Sequence, residues 1–79
     1  MRRQIEKLSV FLPAYNEEAN LKRTVKNVIE NLKKNVTAWE IVIVDDGSKD
    51  NTGKIADSLA RVNKKISVIT KEGFNDFWI

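Results

Sequence analysis

Trp39-Glu40-Ile41-Val42-Ile43-Val44-Asp45-Asp46-Gly47-Ser48 is the stretch on which the fold turns. Its uninterrupted β-branched run, Ile41 to Val44, suits a parallel strand buried on both faces rather than a half-wet strand, whose residues would alternate. The run stops at Asp45-Asp46-Gly47-Ser48, a turn signal. Working back, Leu21, Val25, Val28, Ile29, Leu32 and then Val36 recur at the spacing of a helix laid on a sheet. Asn16 is placed to cap that helix, with Glu17 and Glu18 favouring its dipole. Before it, Leu8 to Leu12 is an apolar run that Pro13 closes, because proline cannot continue a central strand. Working forward, Asp50, Asn51 or Thr52 can cap a second helix with the stripe Ile55, Ala56, Leu59, Ala60 and Val62. Ile66 to Thr70 is a third strand. The order predicts an α/β fold, a βαβαβ parallel sheet with right-handed crossovers.

The chain has 79 residues, enough for one small domain with a modest core. Hydrophobic residues at 42% and charged residues at 32% describe an ordinary globular composition, which argues against disorder. Cysteine and histidine are both absent, which excludes disulfides, thiolate chemistry and the commonest general base and zinc ligand. Carboxylates, lysines and Tyr15 are left for any chemistry. The net charge is +3, from basic residues scattered in small groups, most of them where an amphipathic helix would show its wet face. No aromatic residues interleave with them, so a solvated surface is expected rather than a nucleic-acid partner. Weak attraction to an anionic membrane surface stays open. No apolar run approaches the ~18 residues of a membrane span, and no signal-peptide core precedes Pro13. The expected location is the cytoplasm, with the cytoplasmic membrane face as an alternative.

Ligands of open α/β sheets bind outside the carboxyl ends of the strands. Those ends carry Pro13-Ala14-Tyr15-Asn16-Glu17-Glu18 and Asp45-Asp46-Gly47-Ser48, which the topology sets side by side. Tyr15 offers a flat face for a nucleobase, and a carboxylate past the second strand can accept from ribose hydroxyls or a base N–H. Gly47 allows a tight turn beside a ligand. Taken singly, each segment reads equally as turn and cap. A calcium loop is excluded by spacing, and neither Gly-x-Gly-x-x-Gly nor a P-loop is present. A phosphoacceptor receiver domain would carry its acidic pair after the first strand, not the second.

Leu12 to Glu18 followed, one helix later, by Glu40 to Thr52 strongly resembles the family 2 glycosyltransferases, above all the dolichol- or polyprenol-phosphate mannosyl- and glucosyltransferases. The resemblance covers about residues 8–70 and leaves 71–79 as an irregular tail. It implies the N-terminal, nucleotide-binding half of a Rossmann-like GT-A fold, binding a GDP- or UDP-linked sugar. Carried over by position, Pro13, Ala14, Tyr15 and Glu17 form a first nucleotide-contacting segment, and Val44 and Asp46 a second. Asp45 is the structural member of the acidic pair. The family also implies Mg or Mn on the diphosphate, held by an Asp-x-Asp motif, and a catalytic base further on. Glu72 and Asp76, four apart, do not reproduce that motif, so neither a metal ligand nor a catalytic residue is assigned. The chain therefore reads as a single partial domain, 1–79, truncated and inactive by itself.

Two functions stay open. One is the donor-binding part of a transferase that passes a sugar to an acceptor such as a polyprenyl phosphate. The other is a non-catalytic nucleotide-binding or interaction module. Its open third strand and aromatic tail (Phe74, Phe77 and Trp78) would then need self-association or a partner chain to complete the sheet.

Overall fold

Val10, Leu12 and Ala14 of the first strand stand opposite Ile41, Ile43 and Asp45 of the second, and Ile41 and Ile43 stand opposite Ile66 and Val68 of the third. In the computed structural model, which describes residues 5–70, the elements are β1 (Ile5–Ala14), α1 (Leu21–Asn35), β2 (Val36–Asp45), α2 (Thr52–Val62) and β3 (Ile66–Thr70). The sheet is parallel throughout, in the order β1-β2-β3. β1 and β2 finish level, because Ala14 pairs with Asp45, and Asp45 pairs on its other side with Thr70, the last described residue. The expected α/β architecture is the observed one.

Side-chain alternation sorts the sheet into two faces. One face presents Val10, Leu12, Ala14, Ile41, Ile43, Ile66 and Val68, and both helices pack against it. Leu21, Val25 and Leu32 of α1 and Ala56 of α2 close the core, with Ile55, Leu59 and Ala60 half-buried beside them. Ile41, Ile43 and Ala56 lose all solvent contact. The other face carries Phe11, Pro13, Val42, Val44 and Ile69, of which Phe11 remains well exposed.

The structure corrects the sequence reading at several boundaries. β1 runs through Pro13 to Ala14, and proline is tolerated there because β1 borders the described sheet on one side. Asn16 does not cap α1. It takes a left-handed backbone, φ 52°, and the Glu17 carbonyl accepts from the N–H groups of Asn20 and Leu21, so that the helix begins only after Asn20. Val36 opens β2 and does not extend the helical stripe, since the chain turns extended at that residue. Val62, in the last turn of α2, is 82% exposed and leaves the stripe. Expectations about residues 71–79, including the aromatic tail, lie outside the described residues.

The core assignment is tested by truncation. Ile43→Ala should cost about 2–5 kcal/mol in chemical denaturation, as buried branched side chains do. Val62→Ala should stay within about 0.5 kcal/mol of the parent.

Candidate functional site at the strand ends

The level ends of β1 and β2 release two loops, 15–20 and 46–51, side by side. Polypeptide N–H groups that leave a sheet edge need new acceptors. Here each loop supplies acceptors for the other. The Asp46 N–H donates to the Ala14 carbonyl at 3.2 Å. The Asn16 N–H donates to Ser48 Oγ at 2.9 Å, and Asn16 Oδ1 accepts from the Lys49 N–H at 2.9 Å. The Glu17 N–H donates to Thr52 Oγ1 at 2.7 Å. Glu18 and the start of α2 exchange bonds in both directions: the Glu18 N–H donates to Asp50 Oδ2 at 3.2 Å, and Glu18 Oε1 accepts from the Asn51 N–H at 3.0 Å.

Three side chains hold the second loop in the shape these bonds require. Asp45, 6% exposed, accepts from the Ser48 N–H at 3.0 Å, which closes the turn around Gly47 with its φ of 77°. Its other carboxylate oxygen lies 3.0 Å from where a Cβ on Gly53 would stand, so glycine in the first turn of α2 makes room for it. Asp50 accepts from both the N–H and the hydroxyl of Thr52. Thr52 is fully buried and joins the loops through one oxygen, which accepts from Glu17 and donates to Asp50. The Thr52 hydroxyl, followed by the Thr52 and Glu18 N–H groups, holds the Asp50 carboxyl below the usual carboxylate range, although burial pulls the other way.

Asn51 occupies the N-cap position of α2 but makes no side-chain cap bond. Asp50, one residue earlier, caps the Thr52 N–H and ties it to the neighbouring loop.

The residues proposed for nucleotide contact fall around this lattice as follows. Tyr15 and Asp46 are the residues immediately after the paired Ala14 and Asp45, so they flank each other, and both are exposed. Pro13 and Val44 are register partners on the face away from the helices, Pro13 exposed and Val44 half-buried. Glu17 is exposed at the far end of the first loop. Ala14 differs: it is 2% exposed and packed in the core, so only its backbone borders the rim. Sequence reasoning passed over Asn16, Glu18, Ser48 and Thr52 as site-builders. Their signal was the density of short polar side chains in both loops, which single-loop reading assigned to caps and turns.

The rim is acidic, with Glu17, Glu18, Asp45, Asp46 and Asp50 against Lys49. Even so, among the described residues no three or more carboxylates come together in a way that could hold a metal ion. Asp45 and Asp50 are already engaged with N–H and hydroxyl donors. The Mg or Mn that the sequence resemblance implies is not fitted by the described residues.

A parallel α/β layer with level strand ends and two interlocked loops is consistent with the N-terminal, Rossmann-like half of a GT-A fold. Residues 9–75 match the model of "Glycosyl transferase family 2", and the chain belongs to that family. It is 34% identical over 73 residues to an undecaprenyl-phosphate 4-deoxy-4-formamido-L-arabinose transferase of Proteus mirabilis, a match covering 90% of this chain and 22% of that protein. It is 45% identical over 53 residues to a dolichyl-phosphate beta-glucosyltransferase of Trichomonas vaginalis, covering 61% of this chain and 16% of the relative. It is 52% identical over 50 residues to a UDP-N-acetylglucosamine--dolichyl-phosphate N-acetylglucosaminyltransferase of Methanococcus voltae, covering 63% and 18% respectively. The chain thus spans about a fifth of the length of these relatives.

Two outcomes test the lattice. Thr52→Val keeps the shape but strands the Glu17 N–H, and should cost about 1–3 kcal/mol in denaturant unfolding, with Thr52→Ser closer to the parent. The second concerns acid. A folded-state pKa below the unfolded one means that Asp50 stabilises the fold fully above about pH 4 and loses that contribution as pH falls through the folded value. Asp50→Asn should therefore flatten the acid limb of the stability profile below about pH 4, read by Tm against pH.

Proposed function

We propose that the strand-end rim is the base- and ribose-binding part of a nucleotide-sugar site, within a transferase that uses a GDP- or UDP-linked donor and a polyprenyl phosphate acceptor. The observation that carries this reading is the placement of Tyr15 and Asp46. They are adjacent, exposed and held by backbones that six hydrogen bonds fix to each other among the described residues. Tyr15 supplies a stacking face, worth about 1–3 kcal/mol for a base on an aromatic ring. Asp46 supplies an acceptor for ribose hydroxyls or a base N–H. Pro13 and Val44 offer apolar contact on the same side of the sheet, Glu17 a second acceptor, and Ala14 its backbone.

The family membership supports a sugar-transfer context, and the lipid phosphates in the names of the three relatives support a lipid-phosphate acceptor. One of those names includes a UDP-sugar, which favours including uridine nucleotides among the donors to be tried. The acidic rim suits hydroxyl and N–H donors better than a bare diphosphate, because like charges at close range repel. The described residues therefore recognise the nucleoside end of a donor, and charge neutralisation at the diphosphate falls to residues outside this set.

The test is calorimetric titration of the folded chain with GDP, UDP, their sugar conjugates and the parent nucleosides, with and without manganese. Base-selective binding that survives removal of manganese is expected, weakened about tenfold or more by Tyr15→Ala and by Asp46→Ala. Absence of binding by a folded chain, or unchanged affinity in Asp46→Ala, would overturn the reading.

A further inference from the structure

The folded chain segregates its charge. α1 carries Lys22, Arg23, Lys26, Lys33 and Lys34 against Glu30, and α2 carries Lys54 and Arg61 against Asp57. The helix layer thus holds seven cationic and two acidic side chains, a net +5. The other described residues, in the strands and loops, hold four lysines and seven acids, a net −3. What looked along the chain like scattered wet-face lysines becomes, after folding, one positive layer backed by an acidic rim.

The layer also has shape. Lys22, Lys26 and Lys33 recur at i, i+4 and i+11, so they line one flank of α1. That flank borders a groove floored by Val25, Ile29 and Leu59. Ile29 and Lys33 are shared with a second depression reaching Trp39 and Lys65 at the other end of the helices, so the two form one continuous furrow. There Lys65 Nζ stands 4.6 Å over the Trp39 ring. An apolar floor with lysines along its margin suits side chains that lay their stems on hydrocarbon and hold their ammonium groups among anions.

We propose that the α1–α2 layer is a docking surface for an anionic lipid bilayer. The commitment to a bilayer follows from the distribution of charge. A net +5 spread along two helices, with the negative charge on the strands and loops, orients the molecule in the field of an extended negative plane. A nucleic acid is the competing extended anion, but among the described residues no exposed aromatic interleaves with these lysines as a stacking platform: Trp39 is half-buried under Lys65, and Tyr15 and Phe11 are not on the helices. The inference does not depend on what the strand-end rim binds.

Co-sedimentation of the 79-residue chain with vesicles tests it. Vesicles of about 30% phosphatidylglycerol in phosphatidylcholine should bind at least about tenfold more chain than pure phosphatidylcholine, and the excess should fade as salt rises from about 0.1 M to 0.5 M. Lys22→Glu/Lys26→Glu/Lys33→Glu should lose at least about tenfold of that binding. Lys7→Glu/Lys49→Glu/Lys64→Glu, the same charge change off the two helices, should lose no more than about threefold. If the first triple variant fails to fold by circular dichroism, the corresponding Lys→Gln triple replaces it, with a smaller loss in the same direction. Equal binding to both vesicle types, equal loss in both triple variants, or tighter binding to a single-stranded RNA oligomer than to the anionic vesicles would each overturn the proposal.

Discussion

Where parallel strands end, their backbone N–H groups lose the ladder that satisfied them, and a buried or half-buried N–H without an acceptor costs about 1–3 kcal/mol. In this chain two strands end at the same level, and the cost is met by exchange between the loops that follow. Thr52 is the centre of that exchange, since its buried hydroxyl accepts from Glu17 and donates to Asp50. Asn16 and Glu18 each bond the opposite loop through both backbone and side chain. The exposed residues Tyr15 and Asp46, which follow the paired Ala14 and Asp45, inherit fixed positions from this lattice. A binding rim that is ordered before its ligand arrives loses less entropy on binding.

The fold class was legible because its signals are periodic and long. The run Ile41 to Val44 and the stripe from Leu21 to Leu32 have only one economical packing, helices on one face of a parallel sheet, and the core contains those residues. The boundaries were less legible, for a local reason. Asn16 has the residue type of a helix cap, and its sequence neighbours Glu17 and Glu18 suit a first turn. Its side chain is instead committed to Lys49, 33 residues away. Single-sequence reasoning sees propensity but not the competing long-range acceptor. Pro13 misled in the same way: its closure rule holds for central strands, and β1 borders the described sheet on one side. At the candidate site, the two loops and their adjacency could be read from topology, whereas the side chains that bind them together could not.

Asp45 and Asp46 show how one dipeptide divides its labour. Asp45 points to the helix side of the sheet, is nearly buried and closes the Gly47 turn; Asp46 follows it into solvent at the rim. The alternation of the strand makes this division, since successive residues face opposite ways. The two faces of the sheet differ in the same sense. One is covered by α1 and α2; the other carries Pro13 and Val44 towards the rim, with Phe11 exposed behind them. Among the described residues no helix is long and apolar enough to cross a membrane.

The central claim is that the strand-end loops behave as one body with the core of the sheet. Residue-resolved amide hydrogen exchange measures this directly, because the Glu17, Ser48, Lys49 and Thr52 N–H groups donate to side chains within the lattice while the core strands set the reference. The account predicts that these four amides open together, with protection within about tenfold of the Ile43 amide. Exchange of Glu17 and Lys49 near the unprotected rate, with Ile43 still protected, would show that the loops move independently of the sheet and would contradict it.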